Sequence, residues 1–148
     1  MKTTYNLPCN IAQSLNIIGD RWTLLIAHEI LQGNVMFSDI KKALEGISSN
    51  ILSDRLKYLE QSGLVTAELY SEHPPRYHYQ LTESGKDLEH VFHAILLWGG
   101  RDNLQKCYKK LIHTECQHEV TIAYYCPHCQ TNVDQLSVTE IKEEKLSS

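Results

Sequence analysis

The segment FSDIKKALEGISSNILSDRLKYLEQSGLV, residues 37–65, restricts the possible folds of this chain more than any other stretch. It reads as a short helix, a break at Gly46, and a second helix stopped by Gly63. Ser38 and Ser48 stand where N-caps of the two helices are expected, Ser38 for a helix over 39–44 and Ser48 for the one that follows. Leu52, Leu56 and Leu59 recur at helical spacing and predict a buried stripe on the second helix. The opposite face carries Ser49, Asn50, Ser53, Asp54 and Lys57, short polar side chains with one long cation. Directly after it comes YSEHPPRYHYQLT, residues 70–82, a polar segment that predicts a hairpin from strands over 64–70 and 77–81. Pro74 and Pro75 cannot donate to a ladder and are expected in its turn, flanked by His73 and Arg76. Helix, turn, helix and a two-stranded wing together predict a winged helix-turn-helix, the layout that seats a helix in the major groove of double-stranded DNA.

Further elements follow from the same signals. Ile11, Leu15 and Ile18 predict a first helix ending at Gly19. RWTLLIAHEILQ predicts a second, over 21–32, capped by Asp20, stopped by Gly33 and apolar nearly all round, hence buried. Thr82 is placed to cap a long helix over 83–98, whose Leu88, Val91, Phe92, Ile95 and Leu96 form a wide apolar stripe. One small winged helix has little core left to cover that stripe, so this helix and the N-terminal segment are expected to build a homodimer interface, which would match a palindromic operator. Asp102 could cap a short further helix to about residue 112. The end, IKEEKLSS, is charged and predicts a disordered tail.

The net charge of −4 does not favour a nucleic-acid ligand, and residues 1–100 hold eight Lys or Arg against eleven Asp or Glu. DNA binding must therefore rest on local cations: Lys41, Lys42, Arg55, Lys57 and Arg76, with His73 and His78 contributing in part. Ser48, Ser49, Asn50, Ser53 and Lys57 are expected to reach bases or phosphates, with Arg55 and Arg76 anchoring the backbone. Five cysteines, an odd number, with no apolar leader at the start, predict reduced thiols or metal ligands in a cytoplasmic protein. No apolar run is long enough to span a bilayer. No nucleophile–base–orienter set is present, so no enzyme is expected.

The second strong signal is LIHTECQHEVTIAYYCPHCQ, residues 111–130. Cys126 and Cys129 form a CxxC, and His113 and Cys116 repeat that spacing as HxxC. Two such pairs suit a tetrahedral zinc site in a small zinc-ribbon-like element over 113–136. His118 competes with His113 for the fourth position, although its CxH spacing is tighter. His128 is expected to point outward. Gln130 stands where a knuckle commonly has glycine for a left-handed turn. His113, Thr114 and Glu115 formally match the HxE of zinc deaminases, but only ten residues separate Glu115 from Cys126, too few for the intervening strand and helix.

The ordered set Cys9, GDRWTLLIAHEIL, FSDIKKALEGIS, ILSDRLKYLEQSGLV, PPRYHYQLTESG and LLWG resembles the HxlR family of winged helix-turn-helix regulators, relatives of the MarR group. The resemblance covers about two-thirds of the chain. It implies a dimeric DNA-binding transcription regulator without catalytic activity, with residues 48–61 as recognition helix and 68–79, including Arg76, as wing. Two departures remove positive charge from the expected DNA side: Met36 and Ala67 stand where the family usually has arginine. The resemblance also implies a redox-sensing role for Cys9, against which stands a buried, inert thiol; Cys107 is a candidate resolving partner. The expected organisation is a mainly α winged helix-turn-helix domain over 1–112 with its small antiparallel wing, the Cys/His element over 113–136, and a tail over 137–148. A repressor is the first expectation. A thiol- or metal-responsive sensor with Cys9 or the Cys/His cluster as input, and an interaction module that has lost DNA binding, are the alternatives.

Overall fold

The computed structural model describes residues 4–101 and 106–141. The chain divides into two compact units, Met1–Leu96 and Leu97–Ser148. The first unit holds α1 (Asn10–Ile18), α2 (Thr23–Leu31), α3 (Phe37–Ala43), α4 (Ser49–Gln61), β1 (Val65–Glu72), β2 (Pro75–Leu81), α5 (Glu83–Lys86) and most of α6 (Glu89–Gly99). This is the winged helix-turn-helix arrangement expected from the sequence, mainly α with a small antiparallel sheet.

Its core is continuous from α2 to β1. Ile26 and Ile30 of α2, Ile40 of α3, Leu52, Leu56 and Leu59 of α4, and Val65 of β1 cluster with Leu44, Ile47 and Leu64. The three α4 leucines are all but inaccessible to solvent. Each buried leucine contributes on the order of 2 kcal/mol, enough to fix which face of α4 turns outward. The Ser48 hydroxyl caps α4 by accepting from the Ile51 N–H at 3.1 Å. The turn between α3 and α4 needs Gly46, whose φ of 93° lies in the left-handed region. On α2, the Asp20 carboxylate accepts from the N–H groups of Trp22 and Thr23, each at 3.1 Å, and from the Thr23 hydroxyl. Thr23, Ile26, Ala27 and Ile30 are buried as expected, but Leu25 is exposed.

Several local expectations are corrected. α3 begins at Phe37 with Met36 as N-cap residue, and no side chain, Ser38 included, caps it. The reason lies just upstream. Met36 forms an antiparallel bridge with His78, and the Tyr79 N–H donates to Val35 O at 2.8 Å, so the chain enters α3 directly from the sheet edge. The wing strands are longer than the hydrophobic pattern indicates. Glu72 pairs with Pro75, leaving only His73 and Pro74 in the turn, with an irregularity in register between Leu69 and Ser71. Pro75 is tolerated as the first residue of its strand.

The long helix expected over 83–98 is interrupted. Thr82 does cap, accepting from the Gly85 N–H at 3.1 Å, but α5 ends at Lys86 and α6 starts at Glu89. Gly85 is buried so close to β1 that a Cβ there would lie 2.1 Å from the Leu64 carbonyl oxygen. α6 is anchored by Phe92, which meets His28 of α2 edge-on with ring centroids 5.1 Å apart.

In the second unit, β3 (Tyr124–Cys126) and β4 (Thr131–Val133) form an antiparallel pair. Ile112 and Glu119 form an isolated antiparallel bridge. Residues 106–110 are not helical, which corrects the helix expected to run to about 112; its proposed cap, Asp102, lies outside the described residues, as does the tail from 142. Among the described residues no helix is long and apolar enough to cross a membrane.

Candidate nucleic-acid interface

The outward face of α4 is set by its leucines. At about 100° per residue, Asn50, Ser53, Asp54 and Lys57 fall on the side away from Leu52, and all four are exposed, as are Ser48 and Ser49. The wing brings a second element to the same region. Ser53 of α4 and Arg76 of β2 line one cleft of about 400 Å³, together with Phe37 and Ser38 of α3 and Tyr70 and Tyr77 of the wing. The geometry thus gathers Ser53 and Arg76, with the exposed Lys57 one helical turn beyond Ser53. His73 is exposed in the wing turn. His78 is half-buried and stacked on Tyr70 at 4.4 Å between ring centroids.

The cations divide into two classes. Lys42, Lys57 and Arg76 are exposed, and among the described residues none of them has an acidic partner. They are available to phosphate. Lys41 turns toward the helix-turn-helix corner, its Nζ 3.5 Å from Ile47 O.

Arg55 belongs to the other class and corrects the expectation that it anchors the DNA backbone. Its side chain is only 10% exposed. Nη2 donates to Asp54 Oδ2 at 2.7 Å and Nε to the same oxygen at 3.1 Å, while Nη1 lies 3.4 Å from Asp20 Oδ1. The guanidinium also sits 4.9 Å from the centre of the Tyr58 ring. The Tyr58 hydroxyl in turn donates to Asn16 O of α1 at 2.8 Å. Arg55 therefore ties α4 to the start of α2. The sequence did contain the signal: position 55 is three residues after Leu52 and four before Leu59, on the edge of the buried stripe.

Tyr79, which sequence reading did not single out, packs against the core beneath the wing. Burial raises its pKa first, with Glu60 and Tyr77 adding to the shift.

The remaining candidates lie elsewhere. Cys9 is exposed at the N-cap position of α1, which does not match a buried, inert thiol. The residues just before it are held to α1 through Asn16, which accepts from the Tyr5 N–H at 2.8 Å and donates to Tyr5 O at 3.0 Å. Cys107, exposed, belongs to the second unit. So do His113, Cys116, Cys126 and Cys129, paired in two turns. Among the described residues, no group of three or more His, Cys, Asp or Glu side chains is gathered closely enough to hold a metal ion. The expected convergence of all four donors is therefore absent, and the pairs stand separately. Hydrogen bonding from the backbone and side chain of Cys129, then from the backbone of His128, lowers the Cys126 pKa.

Comparison with known proteins agrees with this arrangement. Residues 17–107 match the family described as HxlR-like helix-turn-helix. Rv3095 of Mycobacterium tuberculosis, an uncharacterized HTH-type transcriptional regulator, is 33% identical over 132 residues, covering 88% of this chain and 83% of that protein. Among solved structures, a candidate transcription factor from Pseudomonas aeruginosa superimposes with a TM-score of 0.70 at 30% identity, over 93% of this chain and 96% of the other. The reduced form of the transcriptional regulator YodB from B. subtilis gives a TM-score of 0.54 at 34% identity, over 64% of this chain and 93% of its own. With the family match spanning the helix-turn-helix, the wing and the helices on either side, the chain belongs to the HxlR-like family of helix-turn-helix transcription regulators.

Proposed function

We propose that this regulator binds double-stranded DNA as a homodimer, inserting α4 into the major groove and laying the wing along the adjacent backbone. The observation that carries the proposal is the exposed polar face of α4 beside a wing arginine that has no acidic partner among the described residues, with Ser53 and Arg76 on one cleft. Ser49, Asn50 and Ser53 have the short donors and acceptors that read base edges. Ser48, Lys57 and Arg76 supply phosphate contacts, and His73 adds a partial one at the wing tip.

The homodimer is supported by apolar surface that a monomer leaves in water. Leu7, Ile11 and Leu15 are exposed along α1 and its lead-in, and Ile95 along α6. A two-fold partner covering these residues would place two α4 helices on one duplex, about 34 Å apart for half-sites one turn apart. Repression is the proposed sign, since a dimer seated on a promoter excludes polymerase.

The test is a binding titration of the purified protein against DNA from upstream of its own reading frame. With six or more phosphates neutralised, affinity is expected to fall by about 10³-fold or more between 50 and 200 mM salt. Binding that ignores salt, or no binding at low salt, contradicts the reading and favours an interaction module that has left DNA.

A further inference from the structure

We propose that the Leu97–Ser148 unit is built around a zinc ion held by His113, Cys116, Cys126 and Cys129.

The support is a construction that occurs twice. In the first turn, His113 to Cys116, the N–H of the following residue, Gln117, donates to His113 O at 2.7 Å, and His113 Nδ1 lies 3.2 Å from Cys116 Sγ. In the second, Cys126 to Cys129, the Gln130 N–H donates to Cys126 O at 2.8 Å, and the Cys129 N–H lies 3.4 Å from Cys126 Sγ. Antiparallel chain flanks both turns: the Ile112–Glu119 bridge around the first and β3–β4 around the second. Gln117 has φ 62° and Gln130 φ 55°, and they are the only non-glycine residues with positive φ among the described residues. Left-handed backbone is disfavoured for a side chain such as glutamine. Here it falls, both times, on the residue directly after the second donor of a pair. Glycine is the usual solution at that place, and this chain forms the turn without it.

The rest of the unit supplies the need. Among residues 106–141 no side chain is buried; Leu111, Val120, Cys126 and Val133 are half-buried and the others exposed. A segment of this size without a core requires another staple. All five cysteines are free, so that staple is not a disulfide. Three thiolates and one imidazole are a closed, borderline-soft, tetrahedral set, the donors that suit structural zinc. The two pairs do not meet in one group; the ion is what would draw the two preformed turns onto one point, so that metal binding and ordering of the unit are one event.

The same construction decides between the histidines. His118 follows the left-handed Gln117, and its carbonyl accepts from the His113 N–H at 2.9 Å across the bridge, outside the turn. His113 occupies the place that Cys126 occupies in the second turn. His128, with Nδ1 3.9 Å from Cys129 Sγ, lies between the two donors of its own turn and is not a ligand.

The experiment is metal analysis and thiol alkylation of the full chain, with zinc and after chelation. One zinc per chain is expected. Cys9 and Cys107 should alkylate with zinc bound, whereas Cys116, Cys126 and Cys129 should react only after chelation. The cobalt-substituted protein should show tetrahedral ligand-field bands and thiolate charge transfer. Cys126→Ser and His113→Ala should each weaken the metal by at least about 100-fold, with His118→Ala and His128→Ala unchanged. Full alkylation of all five thiols in excess zinc, or a wild-type chain that stays metal-free when offered zinc, overturns the site without requiring any variant to fold. Retention of metal by His113→Ala with loss in His118→Ala overturns the ligand assignment. Because these readouts involve no DNA, they stand or fall apart from the operator-binding proposal.

Discussion

Arg55→Ala is expected to destabilise the Met1–Leu96 unit by about 2–3 kcal/mol while leaving DNA affinity of the folded protein unchanged. Breaking a buried pair by removing one partner typically costs about 3–5 kcal/mol, because the other charge is stranded. Here the loss is smaller. Asp54 has a side chain 69% exposed and returns to water, and Asp20, 24% exposed, keeps its hydrogen bonds to the Trp22 and Thr23 N–H groups. What disappears is the tie to Asp20, the contact with the Tyr58 ring and the packing of the stem among buried neighbours. Arg55→Met keeps most of the stem and should recover about half of the loss. Urea unfolding measures the first effect, and a DNA titration corrected for folded fraction measures the second. A variant with unchanged unfolding midpoint and weakened DNA binding would return Arg55 to the phosphate backbone and contradict the structural assignment.

The largest effect on DNA is expected from Lys57→Glu combined with Arg76→Glu. Both side chains are exposed and, among the described residues, have no acidic partner, so reversal costs the fold little. In a two-fold assembly the pair removes four phosphate contacts and adds four repulsive charges. Affinity should fall by about 10²–10³-fold at moderate salt, uniformly across sequences, and the salt slope should become shallower by about 4. The acidic balance of the chain makes the effect sharper, since few other cations can substitute. Unchanged affinity with an unchanged slope would mean that DNA lies elsewhere on the molecule.

The sequence made α4 readable because independent signals agreed there: the Ser48 cap, the leucine stripe and the Gly46 and Gly63 stops. The exposed set Asn50, Ser53 and Lys57 followed from the same periodicity. What escaped depended on contacts distant in sequence. Met36, not Ser38, precedes α3 because the chain arrives from a bridge to His78. α5 and α6 separate near Gly85, which presses on the Leu64 carbonyl, a neighbour no helical pattern reveals. Pro75 reads as a turn residue until its place as first residue of an edge strand is seen. Arg55 was misplaced for a different reason. A long cation on a helix beside a wing suggests phosphate, yet its register put it beside Leu52 and Leu59, and register decided. Gln130 showed the reverse: a residue that weakened the knuckle on composition adopts the left-handed turn regardless.

The central claim is that the outward face of α4 reads base sequence. Selection of bound sequences from random DNA, performed with the parent chain and with Asn50→Ala and Ser53→Ala, tests it most directly. The parent should select a palindrome with half-sites about one helical turn apart. Each variant should retain salt-sensitive binding but lose preference at one or two symmetric positions, at about 1–3 kcal/mol per lost base contact. An identical palindrome from all three proteins, or no enriched motif from the parent, would contradict it.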